Sequence, residues 1–535
     1  TYNVYHVTKA FYPKEDIVQT VDEKQEPLVK IHLPEGTCFS LAPEECVQTE
    51  DVQEEKRNVT KKVYQFLSKQ TGQELAWGML TGVRPTKLVM QKIEQGMTKE
   101  EIFEFLKEQY CVGDKKAQIA YEIACREKAL LDQLDCKNGY SLYAGIPFCP
   151  SICSYCSFSS SPIAEWKDQV DRYLDAMIKE LKATAKLMQG KTLDTVYIGG
   201  GTPTTLEADQ LDRLLGTIRE NFDLEHVLEF TVEAGRPDSI TREKLEVIRK
   251  YPVTRISVNP QTMQQKTLDL VGRKHTVEDV EQIFHLAREL GFDNINMDLI
   301  AGLPGEDAAD MQDTLEKIEK LHPDSLTVHA LAIKRAAKFG QEGRTMDPGT
   351  EITQMVEAAA ASAERMGLVP YYLYRQKNIA GNFENVGYAE QDKAGVYNIL
   401  IMEERQTIIA CGAGSTTKLV LPEKIKTSIA LLISFLIMTG LLCIMQLDIV
   451  IMKLREGKVI VSAAVIIGIY VAVFFVYLHF TKMRASRQYD EVRARVLIYD
   501  KHLEELETLY KEKENEDISP TIVEEEDEDG KIIDI

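Results

Sequence analysis

At 535 residues the chain is too long for one hydrophobic core, so two or more domains are expected. Apolar residues make up 44% and charged residues 27%, which excludes a wholly disordered chain. The net charge of −21 argues against non-specific nucleic-acid binding, although residues 511–535 supply −8 of it from eleven acids and three bases.

Residues 1–55 mix short apolar runs with acidic turns. Tyr2-Asn-Val-Tyr-His-Val and Leu28-Val-Lys-Ile-His-Leu read as strands. From Val59 to about Asp135 the apolar period is helical. Gly82 and Pro85 punctuate a turn inside that stretch, where Arg84 and Lys87 face either an anionic ligand or the next domain. From 141 the pattern becomes strand–helix repeats. Strands are expected at 141–146, 194–198, 227–233, 254–259, 293–299 and 325–331. Helices are expected at 164–188, 207–221, 240–250, 276–290, 308–320 and 351–366. Six such units imply a parallel sheet with right-handed crossovers and functional groups at its C-terminal strand ends.

After Gly414 the character changes. Residues 427–447 and 459–480 carry no Asp, Glu, Lys or Arg over 21 and 22 positions, each long enough to span a membrane. A charged helix from about 486 to 513 and an acidic, disordered tail are expected to follow. The expected domains are 1–138, an α+β domain; 139–420, the strand–helix repeats; 421–485, a two-helix membrane hairpin; and 486–535, the charged helix and tail. No secretory signal opens the chain, so the catalytic part is expected in the cytoplasm with its thiols reduced, tethered if the hairpin is native.

Of ten cysteines, only Cys149, Cys153 and Cys156 stand at ligand spacing, C-x3-C-x2-C, just past an expected strand end. Three thiolates on one loop can hold three corners of a [4Fe–4S] cluster and leave the fourth iron open to a small molecule. A structural zinc site is the alternative, but it wants four ligands, and no second pair or suitably spaced histidine accompanies the trio. Tyr155 and Phe158 are placed to shield such a cluster.

Other motifs fall at the following strand ends. Gly199-Gly-Gly-Thr-Pro-Thr204 would let a ligand approach the backbone closely, or is only a tight turn. Glu233 in Glu-Ala-Gly-Arg-Pro-Asp238 is either a hydrogen-bond acceptor for a ribose or ammonium group, or a solvated acid. Gln261 and Arg273 are candidates for a carboxylate, with a surface basic turn as the alternative for 273–275. Asp298 ends an apolar strand, where an acid is more often functional than structural. Residues 371–378 set aromatics beside two bases, either as a surface for a flat acidic molecule or as an edge strand.

Together these motifs resemble the radical S-adenosylmethionine superfamily, more closely its oxygen-independent coproporphyrinogen III dehydrogenases, and most of all the HemZ-type branch. The resemblance covers residues 1–420 and fades near Glu423, where the hairpin begins. It implies a partial (β/α)6 barrel. It implies that Cys149, Cys153 and Cys156 hold the [4Fe–4S] cluster and that S-adenosylmethionine chelates the open iron. Gly200, Gly201 and Thr202 would then lie along the methionine part and Glu233 near the ribose. Tyr143, Gln261, Arg273 and Asp298 match further cofactor positions, with Arg273 on the carboxylate. The implied reaction converts coproporphyrinogen III propionates to vinyl groups through a 5′-deoxyadenosyl radical. The implied partners are the porphyrinogen and an electron donor such as flavodoxin or ferredoxin. One departure matters. The decarboxylases carry a fourth cysteine two positions after the trio, where this chain has Phe158. Relatives without it include haem-handling proteins, so haem binding or delivery on the same barrel is the alternative.

Overall fold

The computed structural model describes residues 2–420 except 13–14, 21–27, 35, 46–51, 81, 83, 345–349 and 376–382. The expected hairpin over 427–480 and the charged tail lie outside the described residues, as do 376–378. Among the described residues no helix is long and apolar enough to cross a membrane. Residues 1–420 form one compact unit.

The first element corrects the sequence reading. Tyr2–Phe11 is a helix, not a strand. Its aromatic and β-branched residues favour a strand locally, but Val4, Val7 and Phe11 recur at helical spacing. Val7 and Phe11 are buried against Val63, Tyr64 and Leu67 of the helix Val52–Thr71. The strand expected near Leu28 is present as β1 (Val29–His32), antiparallel to β2 (Cys38–Leu41). Three helices follow as expected, Pro85–Glu94, Lys99–Tyr110 and Asp114–Leu131. Thr98 and Glu101 cap the second of these reciprocally.

All six expected repeat strands are found: β3 (Gly139–Ile146), then, after the short β4 (Phe148–Cys149) and β5 (Ser161–Pro162), β6 (Thr192–Gly200), β7 (Glu229–Gly235), β8 (Arg255–Val258), β9 (Ile295–Ala301) and β10 (Ser325–Ala330). They lie side by side and parallel in that order, leaving out β4 and β5. Three further strands widen the sheet to nine. β11 (Val369–Tyr374) and β12 (Asn385–Ala389) add antiparallel beyond β10, and β13 (Thr407–Cys411) adds parallel to β3. This is the open α/β barrel expected of the superfamily.

The two faces of the strands differ in chemistry. Leu142, Val196, Ile198, Phe230, Val232, Ile256, Met297, Leu299, Leu326 and Val328 belong to the main apolar core, which also takes in Trp77, Val89 and Ile123 from the N-terminal helices. That core crosses the expected boundary at 138. The alternate positions are polar and bond to one another across strands. Thr195 Oγ1 donates to Ser141 Oγ at 2.8 Å, Arg255 Nη2 to Ser325 Oγ at 3.2 Å, and Ser325 and Thr327 hydroxyls to Asn296 Oδ1 at 3.1 and 3.2 Å. A closed barrel fills its interior with branched aliphatics. This polar inner face instead suits a chamber for a polar ligand.

Two basic or aromatic stretches take their structural alternatives. Arg84 and Lys87 both meet Glu404, Arg84 at 2.6 Å and Lys87 at 3.6 Å, so this turn packs on the barrel. β11 is an edge strand with Tyr371, Tyr372 and Arg375 buried, so the described part of this stretch is the edge strand, while the second base, Lys377, lies outside the described residues.

Candidate functional site

The cysteine loop is pinned at both ends and in the middle. β4 and β5 pair parallel and close it into a compact lobe. Ser151 Oγ donates to the Gly272 carbonyl at 2.9 Å and Ser154 N to the Val271 carbonyl at 3.0 Å. Cys149, Cys153 and Cys156 are free thiols. Each has its own donor. Thr202 Oγ1 lies 3.5 Å from Cys149 Sγ, Arg236 Nη1 3.6 Å and Arg273 Nη1 4.0 Å from Cys153 Sγ, and the Phe158 N–H meets Cys156. Burial pushes the unligated Cys156 thiol up to about 11. Tyr155 packs with Val271, Ile300, Leu303 and Leu331, whereas Phe158 is 62% exposed and covers nothing. Tyr155 therefore packs beside the loop, and Phe158 stands out from it.

The glycine run continues from the end of β6 directly against this loop. Gly201 N donates to the Ile146 carbonyl and Thr202 N to the Phe148 carbonyl, both at 2.7 Å. A Cβ on Gly201 would stand 2.5 Å from the Phe148 carbonyl oxygen and 3.0 Å from Cys149 Sγ, and Gly200 holds φ +105°. This is more than a tight turn, because the missing side chains are what admit the cysteine loop.

Glu233 sits at the end of β7 and accepts the Tyr197 hydroxyl. Burial pushes its carboxyl up to about 7; the Tyr197 hydrogen bond pulls the other way and the nearby Asp298 charge adds to the rise. It is not a freely solvated acid. Tyr143 stacks on Tyr197 at 6.0 Å, and Tyr397 stacks on Tyr197 at 4.4 Å. Tyr397 comes from the helix Val396–Glu403 and had no signal in the sequence.

Gln261 takes a left-handed backbone at φ 69°, rare for a side chain of its size. It is held there by bonds from its N–H to the Asp298 carbonyl and from the Ile300 N–H to its own carbonyl, both 2.9 Å. Arg273 is buried, not on a surface turn. Its Nη2 donates to the Asn259 carbonyl and its Nη1 to Tyr155 Oη at 3.3 Å. Asp298 Oδ1 accepts from Asn296 at 2.7 Å, and His329 Nε2 stands 4.0 Å from Asp298 Oδ2, the two side chains 28% (His329) and 21% (Asp298) exposed. His329 and the inward-facing Asp298 thus mark the open side of the chamber. Burial pulls the His329 imidazole down, so it is neutral at pH 7.

Beyond the residues read from sequence, the structure adds Arg236, Asp238 and His275 beneath Cys153. Burial alone would raise the Asp238 carboxyl, but His275 and Arg236 hold it well below the usual carboxylate range.

The site fits an iron–sulfur cluster with a polar small molecule beside it. Arg255 Nε, Ser257 Oγ, Asn259 Oδ1, Gln261 Oε1 and Arg273 Nε are buried and lack partners among the described residues. Buried polar atoms are rarely left so, and a row of them from β8 to the turn beyond Gln261 is what a ligand with donors and acceptors would satisfy. No three His, Cys, Asp or Glu side chains converge on one metal ion among the described residues, whereas a cluster takes each thiol on a different iron.

The Radical SAM superfamily profile matches residues 143–318. The oxygen-independent coproporphyrinogen-III oxidase-like protein HemZ of Bacillus subtilis is 44% identical over 376 residues, 68% of this chain and 74% of the relative. The chain belongs to the radical SAM superfamily, in its HemZ-type branch. Members of that superfamily use a [4Fe–4S] cluster and S-adenosylmethionine, and the donor set described above suits both. The heme chaperone HemW of B. subtilis is 35% identical over 239 residues, 43% of this chain and 62% of its own. The oxygen-independent coproporphyrinogen III oxidase of Escherichia coli is 34% identical over 188 residues, 35% of this chain and 41% of its own. The solved structure of coproporphyrinogen III oxidase (HemN) from E. coli is 24% identical with TM-score 0.45, over 55% of this chain and 68% of its own.

Proposed function

We propose that this radical SAM protein acts in the haem pathway by oxidative decarboxylation of coproporphyrinogen III. The observation that carries the reading is three free thiols on one pinned loop, each with its own donor, at the mouth of a polar chamber rowed with unpartnered groups. In this reading Cys149, Cys153 and Cys156 hold the cluster. Gly200, Gly201 and Thr202 lie along the methionine part of S-adenosylmethionine. Glu233 accepts from the ribose, Arg273 and Gln261 take the carboxylate and amine side, and Tyr143 and Asp298 complete the wall.

When bound, the cluster on Cys149, Cys153 and Cys156 and the S-adenosylmethionine beside it would supply radical chemistry able to abstract a β-hydrogen from a substrate propionate. Loss of CO₂ and of one electron to an external acceptor then leaves a vinyl group. The protein's own part is to bind, orient and exclude water. The buried Glu233–Tyr197 pair keeps a proton on the chamber wall near neutral pH. Neutral His329, beside Asp298, offers a hydrogen bond to a substrate carboxylate. The reductant is a small electron-transfer protein of the flavodoxin or ferredoxin kind.

A second reading is favoured by one observation. Phe158 stands exposed where the decarboxylases have a fourth cysteine, and the HemW relative is a heme chaperone. Haem delivery on the same barrel follows from it. Product analysis separates the two. Reconstituted protein given coproporphyrinogen III should yield a product with vinyl groups. Tight one-to-one haem binding without any such product would replace decarboxylation by haem delivery.

A further inference from the structure

The two guanidinium groups beside Cys153 are held differently. Arg273 reaches Cys153 Sγ only at 4.0 Å, with its Nη2 committed to the Asn259 carbonyl. Arg236 comes to 3.6 Å with Nη1, which also donates to the Ser151 carbonyl at 2.8 Å and to Ser151 Oγ at 3.1 Å. The rest of its fork is clamped by one carboxylate, Nε to Asp238 Oδ1 at 3.0 Å and Nη2 to Asp238 Oδ2 at 2.7 Å. Arg236 is 4% exposed. Behind Asp238 stands the fully buried His275, its Nδ1 3.8 Å from Asp238 Oδ1. The arrangement is buried and built, and it turns one N–H of a guanidinium, its charge balanced by Asp238, toward one thiol.

Among the described residues neither of the other two thiols is hydrogen-bonded by a guanidinium, although the Arg273 charge also acts on Cys156. Cys149 has a neutral hydroxyl and Cys156 a backbone N–H. Hydrogen bonds and positive charge at a ligating sulfur stabilise the more negative, reduced cluster and so raise its reduction potential. Arginine suits this role better than lysine, because its planar fork can bond Asp238 and still turn one nitrogen to sulfur.

We propose that Arg236, fixed by Asp238, is a positioning residue that raises the reduction potential of the cluster through Cys153. The proposal rests on the ligation of the cluster by the three cysteines. It assigns Arg236 no contact with S-adenosylmethionine or substrate.

The test is a redox titration, followed by electron paramagnetic resonance, of anaerobically reconstituted full-length wild type, Arg236→Gln and Arg236→Lys, with iron counted per chain. In Arg236→Gln the midpoint should fall, so that at the wild-type midpoint the reduced-to-oxidised ratio drops about tenfold, a shift of about 59 mV for a one-electron couple. Arg236→Lys, which keeps a charge without the fork, should fall between the two. A purely structural role would lower iron content and leave the midpoint of the remaining clusters unchanged. An unchanged midpoint in Arg236→Gln overturns the proposal. If that variant takes up no cluster, Arg236→Lys decides, and a wild-type midpoint there overturns it. A wild type that forms no [4Fe–4S] cluster would sink the cluster reading instead.

Discussion

The Tyr197 hydroxyl donates to Glu233 Oε1 between the neighbouring parallel strands β6 and β7. Glu233 therefore titrates inside the chamber, pushed up by burial from 4.5 to about 7. In the folded protein it keeps a proton that the unfolded chain has released. Its contribution to stability is complete below about 4.5 and is lost as pH rises through about 7. Glu233→Gln keeps the shape and removes the titration. Urea midpoints taken across this range should fall less with pH in the variant than in wild type, and equal slopes would count against a buried, protonated Glu233.

Gly201→Ala should damage the cluster site without unfolding the barrel. Its Cβ would meet the Phe148 carbonyl oxygen at 2.5 Å and carbonyl carbon at 2.9 Å, backbone atoms that cannot swing aside, and Cys149 Sγ at 3.0 Å. Overpacking of this kind costs about 1–3 kcal/mol. Iron per chain after reconstitution should drop sharply. Full iron content would mean that the loop gives way more easily than its hydrogen bonds suggest.

A buried node ties the N-terminal helices to the barrel. Trp77 Nε1 donates to Glu384 Oε2 at 2.7 Å, and Lys116 pairs with the other carboxylate oxygen, Glu384 being almost wholly buried. Trp77→Phe removes one donor and should cost about 1–3 kcal/mol. Lys116→Met removes the cation paired with the buried carboxylate, leaving the more distant charge of Arg375, and should cost more, about 3–5 kcal/mol. Urea unfolding at pH 7 ranks them, and the reverse order would show that Lys116 holds no buried charge in place.

Glu127 is the opposite case. It is fully buried, and both of its oxygens and Glu403 Oε1 lack partners among the described residues. Burial first, and then the Glu403 charge, push Glu127 well above the usual carboxylate range; burial also raises Glu403 against the pull of Arg84 and Arg405. The folded pair holds protons, so its stabilising contribution is lost as pH rises. Glu127→Gln should gain about 1 kcal/mol or more over wild type at pH 8 and little at pH 5. Equal effects at the two pH values would show that Glu127 is as ionised in the folded protein as in the unfolded chain.

The six barrel strands were legible because each is a short apolar-rich run between helical stretches. What was not read from them is their alternation. Thr231-Val-Glu233 and Ser325-Leu-Thr-Val-His329 set polar groups at every second position. Parallel strands covered on both faces read as nearly continuous apolar runs, so this alternation was itself the signal of a polar chamber. Other misses were non-local. β13 pairs with β3 from the far end of the barrel, and Tyr397 reaches Tyr197 across 200 positions. Tyr2–Phe11 failed because local β-propensity outweighed a helical spacing that only its packing on Val63 and Leu67 rewards. The cysteine trio, the glycine run and Gln261, Arg273 and Asp298 stand out in the sequence, and the fold brings Gly201 and Arg273 to the cysteine loop and Gln261 to Asp298. Arg236 and His275 stood inside quoted motifs, but nothing short of the fold shows that they lie beneath Cys153.

The most direct test of the central claim is a quantitative assay of anaerobically reconstituted full-length protein with S-adenosylmethionine, a reductant and coproporphyrinogen III. The account predicts that 5′-deoxyadenosine and CO₂ appear together, in step with vinyl product, and that both vanish in Cys153→Ala. Deoxyadenosine released without CO₂ would contradict the substrate, and its complete absence would contradict radical chemistry at this site.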